Sequence, residues 1–191
     1  MSEFQTFFVG GEFCLDLCNT FDHLHTPPEQ EFLTDSNVAL RWAQAAGVLP
    51  VGKKIAPPAD GQSFEKLLQT RALLFELFAP FVRSASPSKK TLDSFNALWQ
   101  EKAAKLKVVF SDNQYSMAFT ADDALEQIEY EAIRSAMDLL LSITPGKIKQ
   151  CEGCGWFFHD TSRTHARRWC SMDLCGNRAK ARRHYERVKQ K

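Results

Sequence analysis

The sequence lacks the features that mark membrane, secreted and repetitive proteins. None of its apolar runs approaches the roughly 20 residues that a membrane-spanning helix needs. The opening residues, MSEFQTFFVGGEFC, show no basic segment followed by a continuous apolar stretch and a small-residue cleavage site. Internal repeats and low-complexity segments are also absent. We therefore expect a cytoplasmic globular protein with no membrane partner.

The chain has almost no net charge, +1 over 191 residues, but its charge is unevenly placed. Residues 147–191 contain 12 lysines and arginines against 4 acidic residues, a net charge of +8. Residues 1–146 carry a net charge of −7. Opposite charges in two parts of a chain predict two functional units. The basic part is expected either to bind a polyanion or to dock on the acidic part.

Cysteine is scarce until the basic part begins. Four of the six cysteines form the pattern C-x2-C-x15-C-x4-C, namely Cys151, Cys154, Cys170 and Cys175. Two close pairs separated by about 15–20 residues are typical of a structural zinc site. Four thiolates complete a tetrahedral site and leave no position for water, so we predict one structural Zn²⁺ without a catalytic role. Cys14 and Cys18 are best explained as small core residues, with a redox or metal pair as the alternative.

Hydrophobic periodicity predicts that residues 1–145 form a mostly helical α+β domain with a small sheet or hairpin. The predicted elements are a strand at 7–9 before Gly10-Gly11, a helix from Phe13 to Phe21, a helix capped by Asp35 or Ser36, a long helix that follows Ser63, a helix capped by Ser88, a hairpin formed by 107–110 and 115–119, and a last helix opened by a capping box of Thr120 and Asp123. Pro80 is expected to end or kink the third helix.

Residues 147–191 predict a small zinc module. Gly153 and Gly155 suit a knuckle turn whose amides point at thiolates, and Trp156–Phe158 suit the return strand. Cys175 is predicted to open a helix over 176–190, where the helix dipole favours a thiolate. A knuckle followed by a helix N-terminus is the order of a treble-clef or zinc-ribbon-like module. Because this segment is short and has little hydrophobic core, we expect zinc binding to supply most of its folding free energy.

The terminal helix is predicted to be basic around most of its circumference. A narrow stripe of Ala181, Tyr185 and Val188 is expected to face inward. Arg178 and Arg182 lie in the first turns and are the predicted readers of base edges. The full set of predicted nucleic-acid contacts is Arg163, Arg167, Arg168, Arg178, Lys180, Arg182, Arg183 and Arg187. DNA is the favoured partner, while an RNA or a protein partner stays open.

Two further residue sets bear on function. Gly10, Gly11, Asp16 and Asn19 can be interpreted as a ligand pocket, or as a turn whose polar side chains satisfy nearby backbone groups. His159 and His184 can be interpreted as parts of a treble-clef nuclease, and the first domain as a hydrolase. A nuclease would need a second, open metal site, and the sequence shows no cluster of carboxylates and histidines for one. We therefore predict that the chain is not an enzyme.

The stretch Cys175-Gly176-Asn177-Arg178 resembles the signature that names the CGNR zinc-finger family. The resemblance extends through Cys151-x2-Cys154-Gly155-Trp156-x-Phe158-x-Asp160-x-Ser162-Arg163, Arg167-Arg168-Trp169-Cys170-Ser171-Met172, and Lys180, Arg183 and Tyr185. Gly10-Gly11-x-x-Cys14-Leu15-Asp16-Leu17-x-Asn19-Thr20 is similar to the opening of the ABATE domain that is usually paired with it. The resemblance implies a bacterial, stress-induced transcription regulator with a DNA-binding zinc module. It also implies a first domain that senses a small-molecule effector or mediates assembly. A regulator that reads a two-fold site would need a homodimer.

Overall fold

The computed structural model describes residues 4, 8–21, 30–58, 61–142 and 146–189, and it confirms the α+β class. The α-helices are α1 (Phe13–Cys18), α2 (Ser36–Ala45), α3 (Gln62–Phe78), α4 (Lys89–Ala103), α5 (Ala124–Ser142) and α6 (Asn177–Lys189). The strands are β1 (Leu106–Ser111), β2 (Gln114–Phe119), β3 (Ile148–Gln150) and β4 (Phe157–His159). Positions 7 and 190, which were assigned to a strand and a helix, lie outside the described residues. None of the described helices combines the length and the apolarity needed to cross a bilayer.

Side-chain caps set the starts of several helices. The carboxylate of Asp35 accepts hydrogen bonds from the amides of Asn37 and Val38, as expected for an N-cap. Ser88 caps α4 in the same way by accepting from the amide of Thr91. The α3 helix ends at Phe78 and continues as a 3₁₀ turn over Ala79–Arg83, where Pro80 interrupts the hydrogen-bond ladder.

The helix predicted to follow Ser63 begins slightly earlier, at Gln62, and the predicted cap of α5 at Thr120 was wrong. Ser63 lies inside α3, which begins after Gly61, and its hydroxyl donates to the carboxylate of Asp123 at 2.5 Å. Asp123, not Thr120, caps α5 by accepting from the amides of Leu125 and Glu126. Asp123 therefore joins the two helices: one carboxylate oxygen caps α5, and the other accepts a hydrogen bond from Ser63 in the first turn of α3.

The core lies where α1, α3 and α5 pack together. Cys14 and Cys18 are fully buried in it, which matches their interpretation as core residues. The α1 helix ends at Cys18, so its predicted extension to Phe21 was wrong: Phe21 instead forms an isolated antiparallel bridge with Glu31. The predicted strand before Gly10 was also wrong, since Phe8 and Val9 lie in a turn. The chain turns at Gly10, whose carbonyl accepts a hydrogen bond from the His159 amide at 2.7 Å.

A buried ion pair joins α4 to α5 inside this core. The Lys102 ammonium lies 2.6 Å from a carboxylate oxygen of Glu129, and both side chains are almost fully buried. The Thr70 hydroxyl donates to the other oxygen of Glu129 at 2.6 Å. Glu126 lies 3.2 Å from the same ammonium. Burial alone would lower the pKa of Lys102, but the hydrogen bond to Glu129 raises it above its usual range.

The β1–β2 hairpin was predicted correctly. Its strands pair from Leu106 opposite Phe119 to Ser111 opposite Gln114. Asp112 and Asn113 have φ values of 49° and 61°, the left-handed pair of a two-residue type I′ turn. Asp and Asn tolerate this conformation better than other non-glycine residues, which explains the sharp turn at that position.

The β3–β4 hairpin packs on the core of the first unit. Phe157 belongs to the main core cluster and stacks on Phe75 of α3, with 4.9 Å between ring centroids. Its neighbour Phe158 points to the other face of the strand and joins a second cluster formed around the four cysteines. The strand β4 therefore serves both cores, one with each face.

Candidate metal centre and its basic helix

The first cysteine pair lies in a tight turn between β3 and β4. The Cys151 amide donates to the Trp156 carbonyl at 2.8 Å, and the Gly155 amide donates to the Cys151 carbonyl at 2.8 Å. Gly155 has a φ of 74°, which favours glycine. The Gly153 amide points at the Cys151 sulfur at 3.4 Å. This is the predicted knuckle, with a backbone donor aimed at a metal-binding sulfur.

Gly153 has a second reason to be glycine. A Cβ atom at this position would lie 3.1 Å from the Cβ atom and 3.3 Å from the sulfur of Cys175. The knuckle and the second cysteine pair therefore approach each other as closely as a bare backbone allows.

The second cysteine pair flanks the start of the C-terminal helical segment. The Ser171 hydroxyl accepts from the Leu174 amide, and a π-helical turn over Met172–Gly176 runs directly into α6. The helix predicted from about Gly176 is confirmed as α6, but a π-helical turn already begins at Met172, so Cys175 does not open the helical segment. Cys175 still lies in the first turns, and its amide donates to the Ser171 carbonyl at 3.1 Å. The order of knuckle and helix start matches the predicted treble-clef-like module.

The geometry of the four sulfurs fits one zinc ion. All four lie within 4.8 Å of one another. The Cys154 and Cys170 sulfurs are 3.7 Å apart, and the Cys170 and Cys175 sulfurs are 3.8 Å apart. Zinc–sulfur bonds of about 2.3 Å place tetrahedral sulfurs about 3.8 Å apart. Among the described residues, no other group of three or more His, Cys, Asp or Glu side chains is arranged to hold a metal.

The thiols of the metal centre form hydrogen bonds with one another, and these bonds shift their pKa values in opposite directions. Hydrogen bonds from the thiols of Cys154 and Cys170 lower the pKa of Cys151 far below its usual range. The bond to Cys151 in turn raises the pKa of Cys154 above its usual range and that of Cys170 to about 12. Because zinc binds thiolates, its binding must release protons from this group of thiols, and its affinity falls with falling pH.

Asp160 organises the connector between the two cysteine pairs. Its fully buried carboxylate accepts from the Lys149 ammonium at 2.8 Å, from the Ser162 hydroxyl at 2.6 Å and from the Arg167 amide at 3.0 Å. Burial alone would raise the pKa of Asp160, but these donors lower it well below its usual range. His159 does not share in this network, since its Nδ1 atom contacts Glu12 at 3.0 Å. The sequence places Asp160 beside His159 but gives no sign of the Lys149 contact.

Two of the predicted nucleic-acid contacts have internal partners. The Arg167 guanidinium donates to the Cys170 carbonyl at 2.5 Å and lies over the Phe158 ring, 4.9 Å from its centroid. Arg168 forms a two-pronged ion pair with Glu152 and lies 5.3 Å from the Trp169 ring centroid. Both arginines hold the module together. Sequence spacing alone could not separate them from arginines that are free to bind a partner.

The arginines and lysines of α6 are exposed. The helix has no buried residue, and the predicted inward stripe was wrong: Tyr185 is 67% exposed and Val188 is 59% exposed. The reason is that α6 packs mainly on the turn that precedes it. Arg178 comes nearest to the metal site, with its guanidinium 3.8 Å from the Cys175 sulfur. The predicted contacts of α6 are thus on one accessible helix, joined by exposed Arg163 of the connector.

The predicted pocket residues are used internally. The Gly10 amide donates to the Asp16 carboxylate at 2.7 Å, and Gly11 adopts a φ of 81°. The Asn19 side chain accepts from the Phe157 amide at 2.8 Å and donates to the Phe157 carbonyl at 2.9 Å. These contacts match the alternative in which the polar side chains satisfy nearby backbone groups. The segment fastens β4 to α1.

A cavity of about 650 Å³ lies instead at the junction of the two units. It is lined by α3, the 3₁₀ turn, α4 and the β3–β4 hairpin, and its walls include Phe75, Pro80, Val82, Gln150 and Phe157. None of these residues was in the predicted pocket. A small molecule in this cavity would contact both units at once, and Gln150 directly precedes the first metal-binding cysteine.

Comparison with known protein families gives two matches. Residues 147–188 match the family described as "CGNR zinc finger", and this match contains all four cysteines. Residues 11–142 match the ABATE family, described as "Putative stress-induced transcription regulator". A comparison with curated proteins gives no match. The second match covers more than half of the chain, from α1 to the end of α5. The chain therefore belongs to the ABATE family and carries a C-terminal CGNR zinc finger with a four-cysteine site for one zinc ion.

Proposed function

We propose that this chain is a transcription regulator that binds duplex DNA through α6. In this proposal the zinc ion is structural and the module carries out no chemistry. Zinc fixes the first turns of α6 against the knuckle, and the N-terminal unit holds the knuckle in place. The family description supports regulation in general terms. The surface of α6 supports the choice of partner.

The observation that carries the proposal is the unpaired basic surface of α6. Its 13 residues contain six lysines and arginines and a single acidic residue, Glu186. Glu186 lies 4.0 Å from Arg182 and can offset only one of these six positive charges. Within the described ranges, α6 forms no ion pair with the acidic first unit, so the charges of α6 are not used to dock on this chain, although the β3–β4 half of the basic part packs there. A dense, solvent-exposed positive charge of this kind is the electrostatic signature of a phosphate-binding surface.

The dimensions of α6 suit the major groove. Thirteen residues span about 20 Å at 1.5 Å per residue. A single helix fits a groove about 12 Å wide. Arg178 and Arg182 are four residues apart and share one face near the N-terminal end of α6. Lys180, Arg183 and Arg187 lie on the opposite flank, where they would meet phosphates and fix the helix in register.

A salt titration tests the proposal. DNA affinity should be measured by fluorescence anisotropy at several salt concentrations for the zinc-loaded chain. We expect the logarithm of the binding constant to fall linearly with the logarithm of salt, at about 0.9 per phosphate neutralised. Replacing Arg183→Ala and Arg187→Ala together removes two of the predicted phosphate contacts, so it should weaken binding and reduce the slope by about 2.

A matched variant controls for the loss of charge. Lys53→Ala with Lys54→Ala also removes two positive charges from an exposed segment, but outside the zinc module. This variant should keep the affinity and the slope of the unmodified chain. Binding that is insensitive to salt, or equally weakened by both double variants, would overturn the proposal. Tighter binding to a structured RNA hairpin than to duplex DNA at the same salt would assign an RNA partner instead.

A further inference from the structure

The β1–β2 hairpin carries an exposed apolar face. Val108 pairs with Met117 and Phe110 pairs with Tyr115 across the two strands. Cross-strand partners share a face of a sheet, so these four side chains lie on the same side of the hairpin. Each of them is between 59% and 79% exposed. Large apolar residues clustered in this way are unusual on the surface of a protein that acts alone.

The apolar face continues outward from the protein core. At the base of the hairpin, Leu106 pairs with Phe119 on the same face. Phe119 stacks on Tyr130 of α5, with ring centroids 4.1 Å apart and planes only 6° from parallel. The outer residues extend this surface into solvent. A two-stranded hairpin is marginally stable in water unless a further layer covers it, so the outer half lacks the cover that its base has.

The area of this face matches the requirement of a small dimer. With full side-chain areas of roughly 150–250 Å², the four outer residues expose on the order of 600 Å². Two copies packed face to face would bury about 1,200 Å² in total, the lower end of the range for specific interfaces. Any further contact between the two copies next to the hairpins would increase this buried area.

The charge pattern suits a second copy of the same chain. The residues on the apolar face are all uncharged: they are Leu106, Val108, Phe110, Tyr115, Met117 and Phe119. The opposite face carries Lys107 beside polar residues such as Ser116. In a two-fold interface the same patch meets itself, so a patch without charge avoids like-charge repulsion.

We propose that the chain forms a homodimer in which the apolar faces of two β1–β2 hairpins pack against each other around a two-fold axis. The interface buries Val108, Phe110, Tyr115 and Met117 of both copies. It lies in the N-terminal unit and leaves α6 of each copy free. The proposal does not rest on DNA binding.

Sedimentation equilibrium of the zinc-loaded full chain tests the proposal without nucleic acid. From roughly 1 to 100 µM, the unmodified chain should approach twice its mass of 21.7 kDa. Met117→Glu places charges within the apolar interface and should raise the dimer dissociation constant at least about 30-fold. Ser116→Glu adds the same charge one residue away on the opposite face, so its dissociation constant should stay within about threefold of the original.

Both substitutions are at exposed positions, so circular dichroism should show unchanged folding for each variant. Two results would overturn the proposal. A chain that remains monomeric at the highest concentration would leave the apolar face to a partner of different sequence. A dimer that responds equally to both substitutions would place the interface elsewhere on the molecule.

Discussion

The two halves of the zinc module are attached to the protein in different ways. The β3–β4 half shares the core of the N-terminal unit, because Phe157 stacks on Phe75 and Asn19 holds both backbone groups of Phe157. The half that contains the π-helical turn and α6 has a different attachment: α6 has no buried residue, and Cys170 and Cys175 connect this half to the knuckle. Zinc therefore contributes differently to the two halves. The knuckle is already held by the core of the N-terminal unit, whereas α6 depends on the zinc ligands for most of its attachment.

This comparison changes the expectation from sequence that residues 147–191 fold as one zinc-dependent segment. The knuckle strands should survive without metal, whereas the helix should not keep its position. The substitutions below are ordered from the largest expected effect to the smallest.

Loss of a zinc ligand from the helical half should have the largest effect. Cys175→Ser removes one of four thiolates, and the free energy of zinc binding to such sites is about 10–16 kcal/mol. We expect the zinc content, measured by plasma mass spectrometry, to fall from one per chain to nearly none, and the connector to become sensitive to protease. Cys18→Ser is the control, since this buried cysteine lies outside the site and should leave one zinc per chain. Full zinc retention in Cys175→Ser would contradict the assigned ligand set.

The two faces of β4 offer the next test. Phe157→Ala opens a cavity in the main core and should cost about 3–5 kcal/mol of global stability in urea unfolding. Phe158→Ala acts on the smaller cluster around the cysteines, so its main effect should be on zinc affinity, measured by competition with a chelating dye. Equal effects of both substitutions on global stability would mean that the module has a single core.

The Asn19 contact should have a smaller effect. Asn19→Ala leaves the amide and the carbonyl of Phe157 buried without these partners, at a cost on the order of 2–3 kcal/mol. Hydrogen exchange at β4 should accelerate, while exchange in α5 should change only through the lower global stability. Unchanged exchange at Phe157 would show that β4 is held by other contacts.

Counted per unit of pH, the smallest effect is the change in the pH dependence of stability that Asp16 produces. Burial raises the pKa of Asp16 to about 7 in the folded chain, which is above its usual value. The folded state therefore binds this proton more tightly than the unfolded state, and stability is lost as pH rises from about 4 to 7. Asp16→Asn keeps an acceptor for the Gly10 amide but removes the titration. Its unfolding free energy should lack a slope of up to about 1.4 kcal/mol per pH unit over that window. Parallel pH profiles for the two proteins would contradict this assignment.

The sequence predicted well the features whose cause is local. The cysteine spacing found the group of sulfurs that the structure brings together, and Asp112-Asn113 located the hairpin turn. Each signal depends on residues close together in the chain. The start of α6 was predicted to within one residue, but the π-helical turn before it, which the Ser171 hydroxyl caps, was not expected.

The missed contacts depend on residues far apart in sequence. Asn19 and Phe157 are 138 positions apart, and neither residue alone indicates the other. The stripe of Tyr185 and Val188 was expected to face inward because apolar residues on a basic helix usually do, but the described chain offers no surface to cover them. Arg167 and Arg168 were grouped with the exposed arginines because charge alone does not show their internal partners.

Hydrogen–deuterium exchange of the full chain, before and after zinc is removed with a chelator, tests the central claim most directly. The account predicts that removal exposes the amides of 172–189, while amides of β3 and β4 keep their protection because they belong to the N-terminal core. Simultaneous loss of protection across 148–189 would contradict the account, since it would show one metal-dependent unit. Unchanged protection in α6 would contradict it as well, because the helix would then be held without zinc.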